Sequence, residues 1–278
     1  NFTGADRTER SGTLILPEGQ GPFPCLVLHS RAGIAPRWDP GDAFIQQGWA
    51  VYAYDKRGLG QSKGDYARGA LRGLADDAVA AARMLRTRPE IDGDRIIFVG
   101  LGDAGYVGAL ALAAEQAYAG GILGACATSG AVFPGLVQAR VQQVLTPFYG
   151  WSPAQTSAYT NLSVRRWQQW LFDRQDEVTL AGRRVPLGFL KDWAEFDMSK
   201  TMSAVRVPVL LLHGLQDRWT PPEGARALAD ELRQAGKDNV TLRMFDSLGR
   251  DLTVKPDGAL LAEVEGVVLA WLKNTIAP

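Results

Sequence analysis

The segment 95–106 carries the pattern in this chain that is most typical of nucleophilic chemistry. It reads RIIFVGLGDAGY, an apolar run followed by glycines and by the start of a helical pattern. A strand that enters a Gly-x-Ser-x-Gly turn ahead of a helix raises a serine hydroxyl above the end of a sheet, where it can attack a carbonyl group. Here the central position is Gly102, and Ala104 replaces the second motif glycine. The segment therefore predicts the backbone turn without its reactive oxygen.

Asp103 follows that central position and is itself a residue type that can attack an electrophile. Placing Asp103 as the nucleophile requires a shift of one residue, which leaves Leu101 where the first motif glycine belongs. Such a nucleophile also needs a histidine base. We therefore expect Asp103 to contribute its backbone N–H, at the start of the predicted helix, as a donor to an oxyanion.

Five segments, in order along the chain, resemble the α/β-hydrolase superfamily, and within it the dipeptidyl aminopeptidase/acyl-peptidase and esterase-like branch. They are residues 12–17 (GTLILP), 24–33 (PCLVLHSRAG), 54–62 (YDKRGLGQS), 95–106 and 207–217 (VPVLLLHGLQD). The resemblance implies an α/β fold with a doubly wound, mostly parallel sheet and a helical lid insertion. It also implies a core formed by residues 1–129 and 201–278, with the lid at residues 130–200.

The alternation of apolar and amphipathic segments agrees with that fold. Short apolar runs, of the kind that a parallel sheet buries on both faces, lie at 26–28, 50–54, 96–99, 122–127, 209–212 and 240–245. Helical patterns lie at 74–86, 106–118, 223–235 and 260–273. This order of elements predicts parallel strands joined by right-handed helical crossovers.

The resemblance further implies a serine, an acid and a histidine in that chain order. Asp217, a few residues beyond an apolar strand, matches the acid. The histidine belongs in the loop after the last strand, where this chain has Arg250. Arginine stays protonated and cannot accept a proton. Gly102, Asp217 and Arg250 would then be a degenerate triad, in which we expect Arg250 to form a bidentate ion pair with Asp217.

The chain contains two histidines, His29 and His213. Both match structural positions of the family pattern, at the ends of predicted strands, rather than the position of the base. We likewise expect Asp55 and Arg57 to be structural, fixing the loop after their strand, and assign them no chemistry.

An anion site is expected beside the turn. Ser30 and Arg31 lie in the segment that resembles the other half of an oxyanion hole, and Arg31 departs from the family's glycine-rich loop. A loop arginine commonly extends into solvent. Alternatively, Arg31 and Arg250 would flank the Asp103 backbone donor at a helix N-terminus, an arrangement that suits an anion.

Aromatic residues are concentrated in the predicted lid. They are Tyr149, Trp151, Tyr159, Trp167, Trp170, Phe172 and Trp193. One interpretation is that they form a small core within the lid. Taken together they favour an apolar or aromatic wall for a ligand, with Trp167 and Trp170 as the candidate contacts.

Composition limits the partners. Thirty basic and thirty acidic residues among 278 give a formal net charge of zero, which favours neither nucleic acid nor an anionic membrane and leaves a small-molecule ligand. We expect no membrane span, no metal and no cofactor. The two cysteines, Cys25 and Cys126, lie in apolar runs and are expected to be buried thiols. The oligomeric state stays open, as does the choice between cytoplasm and export with a removed signal.

Three functions fit these observations. The first is a pseudoenzyme that binds a small, carboxylate-bearing and partly apolar ligand. The second is an active hydrolase of the esterase or peptidase kind, or another enzyme, that uses non-standard groups in the same pocket. The third is a protein that binds a partner through the lid surface. The missing serine and histidine favour the first.

Overall fold

The protein contains a central seven-stranded sheet. The computed structural model describes residues 1–30, 42–66, 70–114, 117–126, 142, 146–172, 177–180, 183–217, 220–249, 252 and 262–276. The strands are β1 (Phe2–Thr3), β2 (Glu9–Arg10), β3 (Gly12–Ile15), β4 (Phe23–His29), β5 (Ala50–Tyr54), β6 (Ile91–Leu101), β7 (Gly120–Gly124), β8 (Glu177–Leu180), β9 (Arg183–Pro186), β10 (Val209–Gly214) and β11 (Val240–Phe245). The helices are α1 (Ala43–Gln46), α2 (Ala70–Arg86), α3 (Asp103–Ala114), α4 (Thr146–Tyr149), α5 (Pro153–Phe172), α6 (Gly188–Glu195), α7 (Met198–Ala204), α8 (Pro222–Gln234) and α9 (Ala262–Thr275).

The strand order across the sheet is β11-β10-β7-β6-β4-β5-β3. Every neighbouring pair is parallel except β3 with β5, which is antiparallel. The predicted doubly wound, mostly parallel α/β sheet is thereby confirmed. Parallel strands all end at the same edge, so the segments that follow β4, β5, β6 and β10 converge there.

Alternate residues of the central strands face opposite layers of helices. Cys25 and Val27 of β4 belong to the apolar cluster on one face, which includes residues of α2, α3 and α8. Leu26 and Leu28 belong to the cluster on the other face, with residues of α1 and α9. Because both faces are covered, the strands are apolar along their length, as the sequence predicted.

Two element ends differ from the sequence prediction. The run 122–127 ends as a strand at Gly124, because Ala125 adopts a φ of 54° and leaves the extended conformation. The helix predicted from residue 106 begins earlier, at Asp103, directly after the turn. Both cysteines are free and buried, as expected, and burial raises the pKa of the Cys25 thiol to about 12.

The described part of the predicted lid adds no strand to the central sheet. Strands β8 and β9 pair only with each other, next to the helices α4 to α6. The side chains of Phe148 and Tyr149 are 78% and 60% exposed. The boundaries of the lid at residues 130–200 stay a prediction. Among the described helices, none combines the length and apolar character needed to cross a membrane.

Candidate functional site

Gly102 forms the turn between a strand and a helix at the carboxyl edge of the sheet. Strand β6 ends at Leu101, α3 begins at Asp103, and Gly102 between them has a φ of 62°. The Gly102 N–H donates to the Gly124 carbonyl of β7 at 2.7 Å. A side chain at such a φ costs about 1–3 kcal/mol, which glycine avoids. The predicted turn is present, and its central residue has no side chain.

The helix after the turn folds back tightly against the strand. A Cβ atom placed on Gly100 would lie 2.7 Å from the carbonyl oxygen of Ala104. The Gly105 N–H donates to the Gly102 carbonyl at 3.0 Å, which closes the first turn. Because a helix N-terminus carries a partial positive charge, this edge is suited to a negatively charged group.

Asp217 lies in the loop after β10, residues 214–220, which we call the acid loop. Its carboxylate is completely buried. The Asp217 Oδ1 accepts the Thr220 N–H at 3.0 Å, and Oδ2 lies 3.8 Å from the His213 Nε2. The contacts with Thr220 and His213 therefore fix the orientation of this carboxylate, and its role as the acid stays a prediction.

Arg250, the residue at the expected base position, lies outside the described residues, but residues on either side of it are described. Before it, the Leu248 carbonyl accepts the Gln216 N–H of the acid loop at 2.8 Å. After it, Leu252 is buried, and its Cδ1 would lie 3.1 Å from a Cβ atom on Gly124. The described residues on either side of position 250 thus contact the acid loop and the strand beside the turn, respectively.

Both histidines of the chain are buried, and each ring lies within hydrogen-bond distance of another residue. His29 Nδ1 lies 2.7 Å from the Tyr54 hydroxyl, and burial, reinforced by the charge of Lys56, lowers the His29 pKa to about 3. His213 Nε2 lies 2.9 Å from the Thr220 carbonyl oxygen. A carbonyl only accepts, so Nε2 carries the proton of His213. These contacts agree with the structural roles expected of the two residues.

Asp55 and Arg57 also have the structural contacts that the sequence suggested. The Asp55 carboxylate accepts the Gln61 N–H at 3.0 Å, which fixes the loop after β5. The Arg57 side chain donates to Asp77 of α2 at 2.8 Å and to the Gly73 carbonyl at 2.6 Å. Both residues therefore anchor the loop that follows β5.

Lys56 is the residue that sequence reasoning missed. Its side chain is buried, its Nζ donates to the Ser30 carbonyl at 3.3 Å, and it lies 5.3 Å from the centre of the Tyr66 ring. Burial lowers the Lys56 pKa to about 8, although the attraction of the Asp103 carboxylate works in the opposite direction. The available signal was its position: Lys56 lies two residues after an apolar strand, at the edge where parallel strands end.

The remaining candidates divide into described and undescribed side chains. Ser30 is buried at the end of β4, and Asp103 is the first residue of α3. Lys56 contacts Ser30 and interacts electrostatically with Asp103. Arg31 lies outside the described residues. Trp167 and Trp170 belong to helix α5, but the positions of their side chains are also outside the described part.

Comparison with protein families identifies this arrangement. Residues 25–249, most of the chain, match the model of the serine aminopeptidase S33 family. The chain belongs to the S33 family. No curated protein sequence matches this S33 family member.

Solved structures with the same fold include three enzymes of low sequence identity to this S33 family member. The α/β-hydrolase GrgF from Penicillium sp. sh18 is 18% identical, with a TM-score of 0.69 over 100% of this chain and 98% of that one. Est1E from Butyrivibrio proteoclasticus, solved with ferulic acid bound, is 17% identical, with a TM-score of 0.69 over 100% of both chains. The Pyrococcus horikoshii acylaminoacyl peptidase is 15% identical, with a TM-score of 0.68 over 99% of this chain and 40% of that one. At these identities, the likeness establishes the α/β-hydrolase fold alone.

Proposed function

We propose that this S33 family member is a pseudoenzyme that binds a small carboxylate-bearing ligand above Gly102. The observation that carries the proposal is the turn itself. It has the left-handed conformation at position 102 that the nucleophile motif requires, yet the residue there is a glycine without a reactive atom. The scaffold that would present a nucleophile is retained, and the nucleophile is not.

The state of the two histidines supports the same proposal. His29 and His213 are the only histidines in the sequence. Both are buried, and they form hydrogen bonds to Tyr54 and to the Thr220 carbonyl, respectively. Arg250 occupies the matching position of the base and cannot accept a proton. Loss of the serine or the histidine alone has reduced turnover about a millionfold in a model protease. A chain with neither is not expected to hydrolyse esters or peptides by the family mechanism.

Charge supports a carboxylate as the ligand group. The N-terminus of α3, which begins at Asp103, contributes a partial positive charge beside Gly102, and Arg31 and Arg250 would add permanent positive charge there. Trp167 and Trp170 would contact an aromatic or apolar part beneath the lid. Ferulic acid, the compound bound to Est1E, is an aromatic carboxylic acid and thus belongs to the class proposed here.

Turnover assays on short aryl esters and aminoacyl anilides test the absence of hydrolysis. The native protein and the Gly102→Ser variant should both be inactive, because a serine alone lacks its base. Gly102→Ser combined with Arg250→His should gain esterase activity, because Asp217 is retained. Native activity that co-purifies through several columns, and that Asp217→Ala abolishes, contradicts the proposal.

Calorimetry tests the ligand class. Ferulate, benzoate and acetate should bind in an order that follows their aromatic area, and neutral methyl ferulate should bind more weakly than ferulate. Removing one charged hydrogen bond with Arg250→Gln should weaken ferulate binding about tenfold or more. Added salt should weaken it further if the site is open to solvent. Equal affinity in the native and Arg250→Gln proteins rules out Arg250 as an anion ligand.

One observation favours a second candidate function, an enzyme that uses another group of the same pocket. Lys56 is a buried amine beside Ser30 and Asp103, and with a pKa of about 8 part of its population is neutral near physiological pH. A neutral lysine can act as a general base. Turnover that is lost in Lys56→Met but kept in Lys63→Met, where the lysine is exposed, would favour this enzyme over the pseudoenzyme.

A further inference from the structure

Lys56 connects the two segments that would bind the ligand anion. One is the end of β4 at Ser30, whose carbonyl accepts a hydrogen bond from the Lys56 Nζ. The other is the start of α3 at Asp103, whose carboxylate attracts the Lys56 ammonium. These segments are about 70 residues apart in the sequence, and the sheet brings β4 and β6 together as parallel neighbours.

We propose that Lys56 is a positioning residue, which holds the Ser30 end of β4 against the start of α3 so that the backbone donors of both segments converge on one carboxylate. This inference rests on the proposed function and deepens it, because it names the group that sets the affinity of the same site. Lys56 acts through Ser30 and Asp103 and does not itself need to touch the ligand.

The contacts of Lys56 suit this role better than a role in the core. A lysine buried solely for packing could be replaced by an apolar side chain of similar length, such as methionine, without loss of stability or of ligand affinity. The ammonium instead donates to the Ser30 carbonyl and lies beside the Tyr66 ring, and the charge of Asp103 favours its protonated form. The titratable groups that face it are Asp103 from α3, His29 from β4 and Tyr66 from the loop after β5.

The protonation of Lys56 makes the role testable without changing a side chain. With a pKa of about 8, the ammonium is mostly charged at pH 7 and mostly neutral at pH 9. A neutral amine still donates to the Ser30 carbonyl, but it no longer attracts the Asp103 carboxylate. The anion site should therefore loosen as the pH rises through about 8.

Benzoate binding measured by calorimetry at pH 7 and pH 9 is the first arm of the experiment, with methyl benzoate as the control that is neutral at both pH values. In the native protein, benzoate should bind about five- to tenfold more weakly at pH 9. The Lys56→Met variant should show the weaker affinity at both pH values, and Lys63→Met, which replaces an exposed lysine, should behave like the native protein. Native affinity in Lys56→Met, or an unchanged pH dependence, overturns the proposal.

Amide hydrogen exchange is the second arm and needs no ligand. Exchange in residues 28–30 and 102–106 should be at least about tenfold faster in Lys56→Met, while the midpoint of global unfolding is unchanged or higher. Asp103→Asn removes the attraction from the other side and should speed exchange in residues 28–30. Unchanged exchange in both variants, or a general loss of stability in Lys56→Met, shows that Lys56 is a structural residue.

Calorimetry and hydrogen exchange together distinguish failure of the proposed function from failure of the positioning role of Lys56. If ferulate and the other carboxylates fail to bind the native protein at either pH, the proposed function fails. Exchange then decides the inference alone: faster exchange confined to the two segments supports the positioning role, and unchanged exchange rejects it.

Discussion

Lys56 and Arg57 are neighbours in the sequence, and both are buried cations, but they belong to two different regions. Lys56 lies at the carboxyl edge of the sheet, beside Ser30 and Asp103. Arg57 points the other way, to Asp77 of α2. Burial lowers the Lys56 pKa to about 8. Burial also works against the charge of Arg57, but the hydrogen bond and charge of Asp77 outweigh it, so the Arg57 pKa is raised.

The Arg57 region is an ion cluster formed by Asp6, Arg10, Arg57 and Asp77. Arg10 is completely buried and donates to both Asp77 oxygens, at 2.9 and 3.0 Å, and to Asp6 at 2.7 Å. Here, planar guanidinium groups match carboxylates, so the charges stay compensated. The difference shows what each region is suited to. The ion cluster fastens the N-terminal strands to α2, whereas the Lys56 ammonium donates to a neutral carbonyl and has a lowered pKa.

The largest predicted effect breaks the ion cluster. Asp77→Ala leaves Arg10 and Arg57 without their shared carboxylate, and uncompensated buried charge typically costs about 3–5 kcal/mol. Urea unfolding should show at least that loss. Arg72→Ala, which changes an exposed residue of the same helix, is the control and should alter the free energy of unfolding by less than about 0.5 kcal/mol.

The predicted pair of Arg250 with Asp217 provides a second test, in the site region. Asp217→Ala removes a buried carboxylate that accepts the Thr220 N–H, and should cost about 3 kcal/mol if Arg250 is its partner. Adding Arg250→Leu should then restore part of the loss. Additive losses in this double-mutant cycle, determined by chemical denaturation, mean that the two groups are not coupled.

The pH dependence of stability sharpens the comparison further. The folded state lowers the Lys56 pKa from 10.5 to about 8, so the unfolded chain binds the proton more tightly. The resulting penalty is complete below about pH 8 and disappears as the pH rises to about 10.5. Lys56→Met should therefore raise the free energy of unfolding at pH 7 by at most about 3 kcal/mol. Denaturation curves at pH 7 and pH 10.5 check that this gain vanishes; a gain of equal size at both pH values contradicts it.

The smallest predicted effect concerns the turn. Gly102→Ala places a side chain at a φ of 62° and should cost about 1–2 kcal/mol. Gly266→Ala is the matched comparison, because Gly266 lies in helix α9 with nothing within 4 Å of its added Cβ. It should stabilise the protein by about 0.5–1 kcal/mol. Thermal unfolding of the two variants should therefore shift in opposite directions, and a stabilising Gly102→Ala would exclude conformational strain at the turn.

Local patterns were enough to predict the sheet and the turn. The apolar run at 50–54 coincides with β5, because a strand that is buried on both faces has a continuously apolar sequence. The run at 240–245 coincides with β11, an edge strand that is only partly buried. The glycines around position 102 likewise predicted the turn. Motif spacing also singled out Asp217, which follows its strand within a few residues; its role as the acid stays a prediction.

Residues whose surroundings come from distant segments could not be predicted in this way. The burial of Lys56 depends on Ser30, Tyr66 and Asp103, which three separate elements supply. The ion cluster likewise unites positions 6, 10, 57 and 77. Hydrophobic periodicity in the sequence does not predict contacts between such distant residues. A charged residue directly beyond an apolar strand is the only local hint, and it does not distinguish a buried lysine from an exposed one.

The contacts between the acid loop and the segment after β11 have a consequence for how this chain can change over generations. The parallel pairing of β10 and β11 ends at Gly214 and Phe245, but hydrogen bonds from Leu215 and Gln216 to Phe245 and Leu248 continue beyond it. These bonds join main-chain atoms and do not depend on which side chains are present. Mutation can therefore exchange side chains in these two segments without removing the hydrogen bonds that join them. If position 250 is the base position, as the family resemblance implies, a proton-accepting histidine and a permanently charged arginine there are separated by a single nucleotide substitution.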